Sequence, residues 1–138
     1  MKRYLPKQPA VYLLALLYLL SGSVYSADAL KKIQEKGVIE IAVYDGLPPF
    51  SYRKSGRSAG IDVDIAKAIA EKLGVNSSIR MVGADESMED DLRNNVWKGH
   101  YLGGGVADLM LHVPFDPEFA QRNDRVKLVA PYYREQIV

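Results

Sequence analysis

Cysteine is absent from this 138-residue chain, which therefore holds no disulfide, no thiolate metal site and no cysteine nucleophile. Histidine occurs only twice, at His100 and His112, and neither stands in a carboxylate motif at metal-ligand spacing, so no metal site is expected. Net charge is nearly lacking as well: 18 basic and 17 acidic residues leave +1, with the basic ones scattered along the chain. Without a basic stripe there is no electrostatic footprint for nucleic acid or an anionic membrane surface, and neither is expected as a partner. What is present is an ordinary globular composition, 48% apolar and 25% charged, enough for one modest core.

The first segment reads as an address rather than as fold. Lys2, Arg3 and Lys7 form a positive start, and Ala10 to Leu20 is an apolar run too short to span a bilayer comfortably. Small and polar residues follow, with Val24 and Ser26 at the −3 and −1 positions of a cleavage site before Ala27. Cleavage after Ala29 and retention as an uncleaved anchor are the alternatives. The expected organisation is a signal peptide over residues 1–26 and a periplasmic domain over residues 27–138.

Past the leader, helical and strand periodicities alternate. Ala29 to Glu35 predicts a short helix stopped at Gly37, and Val38 to Val43 predicts a strand whose continuous apolar character suits a sheet covered on both faces. Pro48 and Pro49 break it, and Phe50 to Tyr52 is expected to be a short extended piece. Ile61, Ile65, Ala66, Ile69, Ala70 and Leu73 recur at helical spacing and predict a helix from Ile61 to Leu73, ended by Gly74. Asp62 and Asp64 in its first turn are read as complementing the helix dipole. Further strands are expected at Ser78 to Val82, Ala107 to Val113 and Val126 to Ala130, with a helix from Met88 to Trp97. This order predicts an α/β fold with a mostly parallel, doubly wound sheet, whose ligands bind outside the carboxyl ends of the strands.

Three segments carry a resemblance: Gly37 to Val43, Pro48-Pro49-Phe50-Ser51-Tyr52, and the run Gly60-Ile61-Asp62-Val63-Asp64-Ile65-Ala66 through Leu73-Gly74. Their order and spacing resemble the amino-terminal signature of family 3 extracellular solute-binding proteins. Ala107-Asp108-Leu109, Arg122 and Ala130-Pro131-Tyr132-Tyr133 fit later landmarks of the same family. The resemblance implies the first lobe of a type II periplasmic binding protein, a receptor that closes on an amino acid or similar small carboxylate solute and hands it to an inner-membrane ABC permease. It implies no catalytic residue and no cofactor.

The same resemblance points to Tyr44, Asp45, Phe50, His112, Phe115 and Arg122 as ligand-binding residues. Arg122 holds the place of an arginine that clamps a ligand carboxylate, a task suited to a bidentate guanidinium. Pairing with Asp116 or Glu118 on the surface is its alternative. Leu47 stands where amino-acid receptors of the family place a stacking aromatic residue, and Tyr44 is the neighbour able to substitute. His112 to Phe119 offers few of the hydroxyls usual in that segment. This stretch and the glycine-rich loop Gly99 to Gly105 look more like a divergent branch that includes accessory proteins of periplasmic quinoprotein dehydrogenases. A cyclohexadienyl-type dehydratase is the third reading. The glycine run lacks the Lys-Ser/Thr of a P-loop.

Glu86, Glu89, Asp90 and Asp91 are read as a solvated acidic face at a helix start, and Trp97 as packing against the sheet. Complete members of the family build a second lobe after the Pro-Tyr-Tyr segment. The chain is therefore expected to be a partial lobe, with a stand-alone lobe that dimerises as the competing idea.

Overall fold

The computed structural model describes residues 24–134. The expected leader over residues 1–26 lies almost wholly outside the described residues. Among the described residues no helix is long and apolar enough to cross a membrane.

The chain enters through helix α1 (Val24–Lys36), which contains both candidate cleavage points, and turns at Gly37 into strand β1 (Val38–Tyr44). A hairpin of β2 (Tyr52–Lys54) and β3 (Arg57–Ala59) follows, then helix α2 (Ile61–Leu73) and strand β4 (Asn76–Val82). Helix α3 (Met88–Leu92) widens into a π-helical turn at Arg93–Trp97, ahead of the short strand β5 (Leu109–Met110) and helix α4 (Pro117–Arg122).

Three strands form a parallel sheet in the order β4-β1-β5, with Val38 opposite Asn76, Tyr44 opposite Val82 and Ile41 opposite Leu109. The alternation of side chains along β1 divides the core in two. Ile39, Ile41 and Val43 face Val63, Ala66 and Ala70 of α2, with Ile33 of α1 packed alongside. Ala42 and Tyr44 face the other way, toward Leu92 of α3 and Phe119 of α4. Both faces are thus covered, which is why β1 reads as a nearly unbroken apolar run.

Asp108 explains how the two-residue β5 keeps its register. Its carboxylate accepts the Glu40 backbone N–H and the Lys36 ammonium, each at 2.9 Å, while its own N–H donates to the Glu40 carbonyl at 2.8 Å. Arg80 pairs with Glu40 and donates to the Gly105 carbonyl, fastening the glycine-rich loop to the sheet.

Five expectations need correction. The strand predicted over Ala107 to Val113 is paired only at Leu109–Met110, and Val126 to Ala130 forms no strand. Val126 and Leu128 still bury their side chains in the second core cluster, so their apolar character reports packing rather than a ladder. The hairpin β2–β3 replaces a single extended piece. Asp91 is buried rather than part of a solvated face, and Trp97, 42% exposed, meets the Arg125 guanidinium 5.8 Å from its ring centre instead of the sheet.

Candidate functional site

The loop leaving the carboxyl end of β1 closes on itself, with Leu47 and Ser51 exchanging backbone hydrogen bonds of 2.7 and 2.8 Å. Its carbonyls then do what a capping side chain usually does for a helix. Pro49 O accepts the Ile61 N–H at 3.2 Å and Phe50 O accepts the Asp62 N–H at 2.8 Å, while no side chain caps α2. Gly60 makes this approach possible, since a Cβ there would stand 2.2 Å from the Phe50 carbonyl oxygen. The loop is thereby pinned over the amino end of α2, with Phe50 held beyond the carboxyl ends of the strands.

Asp62, in the first turn of α2, is completely buried. Its Oδ1 accepts the Tyr132 hydroxyl at 3.0 Å, and its Oδ2 lies 3.2 Å from His112 Nδ1. His112, two residues past β5, has a left-handed backbone (φ 61°), and its N–H donates to the Tyr132 phenolic oxygen at 2.8 Å. Burial, and then the Asp62 carboxylate, push the Tyr132 phenol above its ordinary range, so it stays a neutral donor. The Phe50 ring centre lies 4.6 Å from that of His112 and 4.7 Å from that of Tyr133, which it meets edge-on. The result is a cluster of three aromatic or imidazole rings above a buried carboxylate at the carboxyl end of the sheet.

Of the six residues expected to bind a ligand, the structure brings together Phe50 and His112. Tyr44 points into the second core, where its hydroxyl donates to Asp91 Oδ2 at 2.6 Å with Met88 Sδ 2.9 Å away. Asp45 pairs with Arg53 at 2.7 Å. Phe115, 56% exposed, lines a shallow groove with Asp116, Lys127 and Leu128. Arg122 lines a different groove with Trp97 and Arg125, pairs with Glu89 at 3.2 Å rather than with Asp116 or Glu118, and lies 5.8 Å from the Phe119 ring centre. Neither groove includes a member of the Phe50–His112 cluster.

Sequence reasoning did not assign Asp62, Tyr132 or Tyr133 to the site. A signal for Asp62 was present: it precedes Ala66 and Ala70 at intervals of four, which puts a carboxylate on the buried stripe of α2. Tyr132 is marked only by the Pro-Tyr-Tyr landmark, and its contact with α2 is made by the fold. Among the described residues no group of three His, Asp or Glu side chains is placed to hold a metal ion.

Comparison with known proteins follows the same elements. Residues 39–97 match the model of bacterial extracellular solute-binding proteins, family 3. The chain is 43% identical over 67 residues to cyclohexadienyl dehydratase of Pseudomonas aeruginosa, covering 46% of this chain and 25% of that protein. It is 35% identical over 57 residues to a protein of Escherichia coli K12 named as an amino-acid ABC transporter-binding protein, YhdW, covering 41% of this chain and 17% of the other. Among solved structures, the arginine-bound form of domain 1 from TmArgBP is 31% identical with a TM-score of 0.40, over 46% of this chain and 51% of that one. The chain thus spans a quarter or less of the length of these curated relatives. The span that matches the bacterial extracellular solute-binding proteins of family 3, residues 39–97, is the one that holds β1, the β2–β3 hairpin, α2, β4, α3 and the π-helical turn.

Proposed function

We propose that this chain is a solute-binding lobe that takes an amino acid or similar small carboxylate in the periplasm, reached through the leader over residues 1–26, and serves an inner-membrane ABC permease. The observation that carries the reading is the Phe50–His112–Tyr133 cluster, seated where parallel α/β sheets bind ligands. Apolar rings beside a few fixed polar groups are the ordinary make-up of a small-molecule site. Arg122, the carboxylate clamp that the resemblance implies, lines a separate groove and pairs with Glu89, so the ring cluster alone carries this reading.

Thermal unfolding of the full chain against a panel of amino acids, small carboxylates and polyamines tests the proposal. A solute at a hundredfold excess over its Kd stabilises the native state by about 2.7 kcal/mol, which raises the midpoint of a domain of this size by roughly 10 °C. F50A is expected to remove most of that rise. A cooperative transition that no solute moves would refute the reading.

The identity to cyclohexadienyl dehydratase favours a second reading, dehydration of a cyclohexadienyl acid. Turnover of such an acid by the full chain, with F50A as control, separates catalysis from binding alone.

A further inference from the structure

A buried carboxylate facing an imidazole decides which ring nitrogen carries the proton. Asp62 Oδ2 and His112 Nδ1 are both enclosed, lie 3.2 Å apart and have no hydrogen-bond partner among the described residues, so each is the nearest group able to satisfy the other. Two acceptors at that distance would repel, so the first proton of the ring belongs on Nδ1, and an imidazole carrying that proton alone has its lone pair on Nε2. Nδ1 is fully enclosed, yet 22% of the His112 side-chain surface remains accessible, and Nε2 is not among the buried polar atoms that lack a partner. Among the described residues none bonds Nε2.

Three further features give this position a sign. The Phe50 and Tyr133 rings flank His112, their centres 4.6 and 6.5 Å from its own, and aromatic faces attract cations. The titratable groups that face His112 are Asp62, Tyr132 and Tyr133, none of them cationic. The left-handed backbone of His112 is held by the Tyr132 phenol, which also bonds Asp62, so the ring is fixed before any solute arrives.

We propose that His112 Nε2 accepts a hydrogen bond from the ammonium group of the solute, with Asp62 as the positioning residue that keeps the imidazole proton on Nδ1. The inference rests on the solute-binding reading above and adds to it the group that is recognised and the residue that recognises it. It also commits the site to amines: a solute with a carboxylate but no ammonium leaves Nε2 without its partner.

The test is calorimetric titration of the full chain with L-arginine and L-phenylalanine, each against its des-amino analogue. The wild-type chain is expected to bind the amino acid at least about tenfold more tightly, the usual worth of a hydrogen bond to a charged group. H112L should bring that ratio close to one while the des-amino analogue still binds. H112Q, whose amide reaches the position of Nε2, should keep most of the preference. Where H112L does not fold, D62N replaces it: its amide donates to Nδ1, moves the ring proton to Nε2 and should abolish the preference. A wild-type chain with equal affinity for both members of a pair, or a folded H112L with the preference intact, overturns this inference and leaves solute binding standing. Failure of every probe to bind the wild-type chain overturns both.

Discussion

Gly60→Ala tests how the site is held together. The native backbone at Gly60 (φ 121°, ψ 175°) lies in a region that side-chain-bearing residues rarely enter, at a cost of about 1–3 kcal/mol. A methyl group there would stand 2.2 Å from the Phe50 carbonyl oxygen, 2.6 Å from its carbon and 2.8 Å from the Pro49 oxygen, all of them backbone atoms that cannot swing aside. Relief requires the loop to retreat by roughly 1 Å, which breaks the hydrogen bonds from Ile61 and Asp62 that cap α2 and removes about another 1–3 kcal/mol. The expected loss is about 2–6 kcal/mol, a large part of the roughly 5–15 kcal/mol that domains usually have. Urea denaturation followed by circular dichroism measures it. Gly74→Ala is the control: that glycine is left-handed (φ 69°), but a methyl group added to it would meet no atom within 4 Å, so only about 1 kcal/mol should be lost. If the two variants differ by less than about 0.5 kcal/mol, close approach at Gly60 does not hold the loop.

Other perturbations have smaller expected effects. Y44F removes the donor to buried Asp91 and should cost about 1–3 kcal/mol in the same denaturation assay. Burial, and then Asp91, raise the Tyr44 phenol above its ordinary range, so its contribution is complete below about pH 10 and is lost as pH rises beyond that, at up to about 1.4 kcal/mol per pH unit. Tyr132 is shifted the same way but is 41% exposed, so its share is smaller, and Y44F should remove most of the alkaline slope. Asp116 Oδ1 accepts the Phe119 N–H at 2.9 Å as the cap of α4, so D116A should cost about 1 kcal/mol and speed hydrogen exchange of the Phe119 amide.

The parts of this fold legible in the sequence are those decided locally. Ile61 to Leu73 was readable to the residue because an apolar stripe, two acidic residues in the first turn and a left-handed glycine all mark the same helix. β1 was readable because both its faces are covered. Val126 to Ala130 misled because β-branched apolar residues look alike whether they pair in a ladder or pack as coil, and pairing depends on a neighbour that periodicity cannot supply. Helix α4 was missed despite a local signal: Asp116 followed by Pro117 is an N-cap followed by a first-turn proline. The resemblance points to Phe50 and His112, whereas their meeting with Asp62 and Tyr132 depends on contacts spanning up to 70 positions.

The two buried aspartates show why sequence position alone does not separate a structural carboxylate from a functional one. Asp62 and Asp91 both sit in the first turn of a helix, both are enclosed, and both accept a hydrogen bond from a tyrosine rather than pairing with Lys or Arg. A phenol lets a carboxylate be buried without a second charge being desolvated, and in return the carboxylate keeps the phenol protonated. They differ in their remaining oxygen. Asp91 Oδ1 accepts the Asp85 N–H at 2.8 Å, so both of its oxygens are bonded and the group is closed to further chemistry. Asp62 Oδ2 has no hydrogen-bond partner among the described residues and faces His112 Nδ1, whose side chain stays 22% accessible. Buried polar atoms are rarely left without a partner, so the orientation of that one imidazole is what completes Asp62. It follows that D91N should act on stability alone, whereas D62N should also alter which solutes the chain holds.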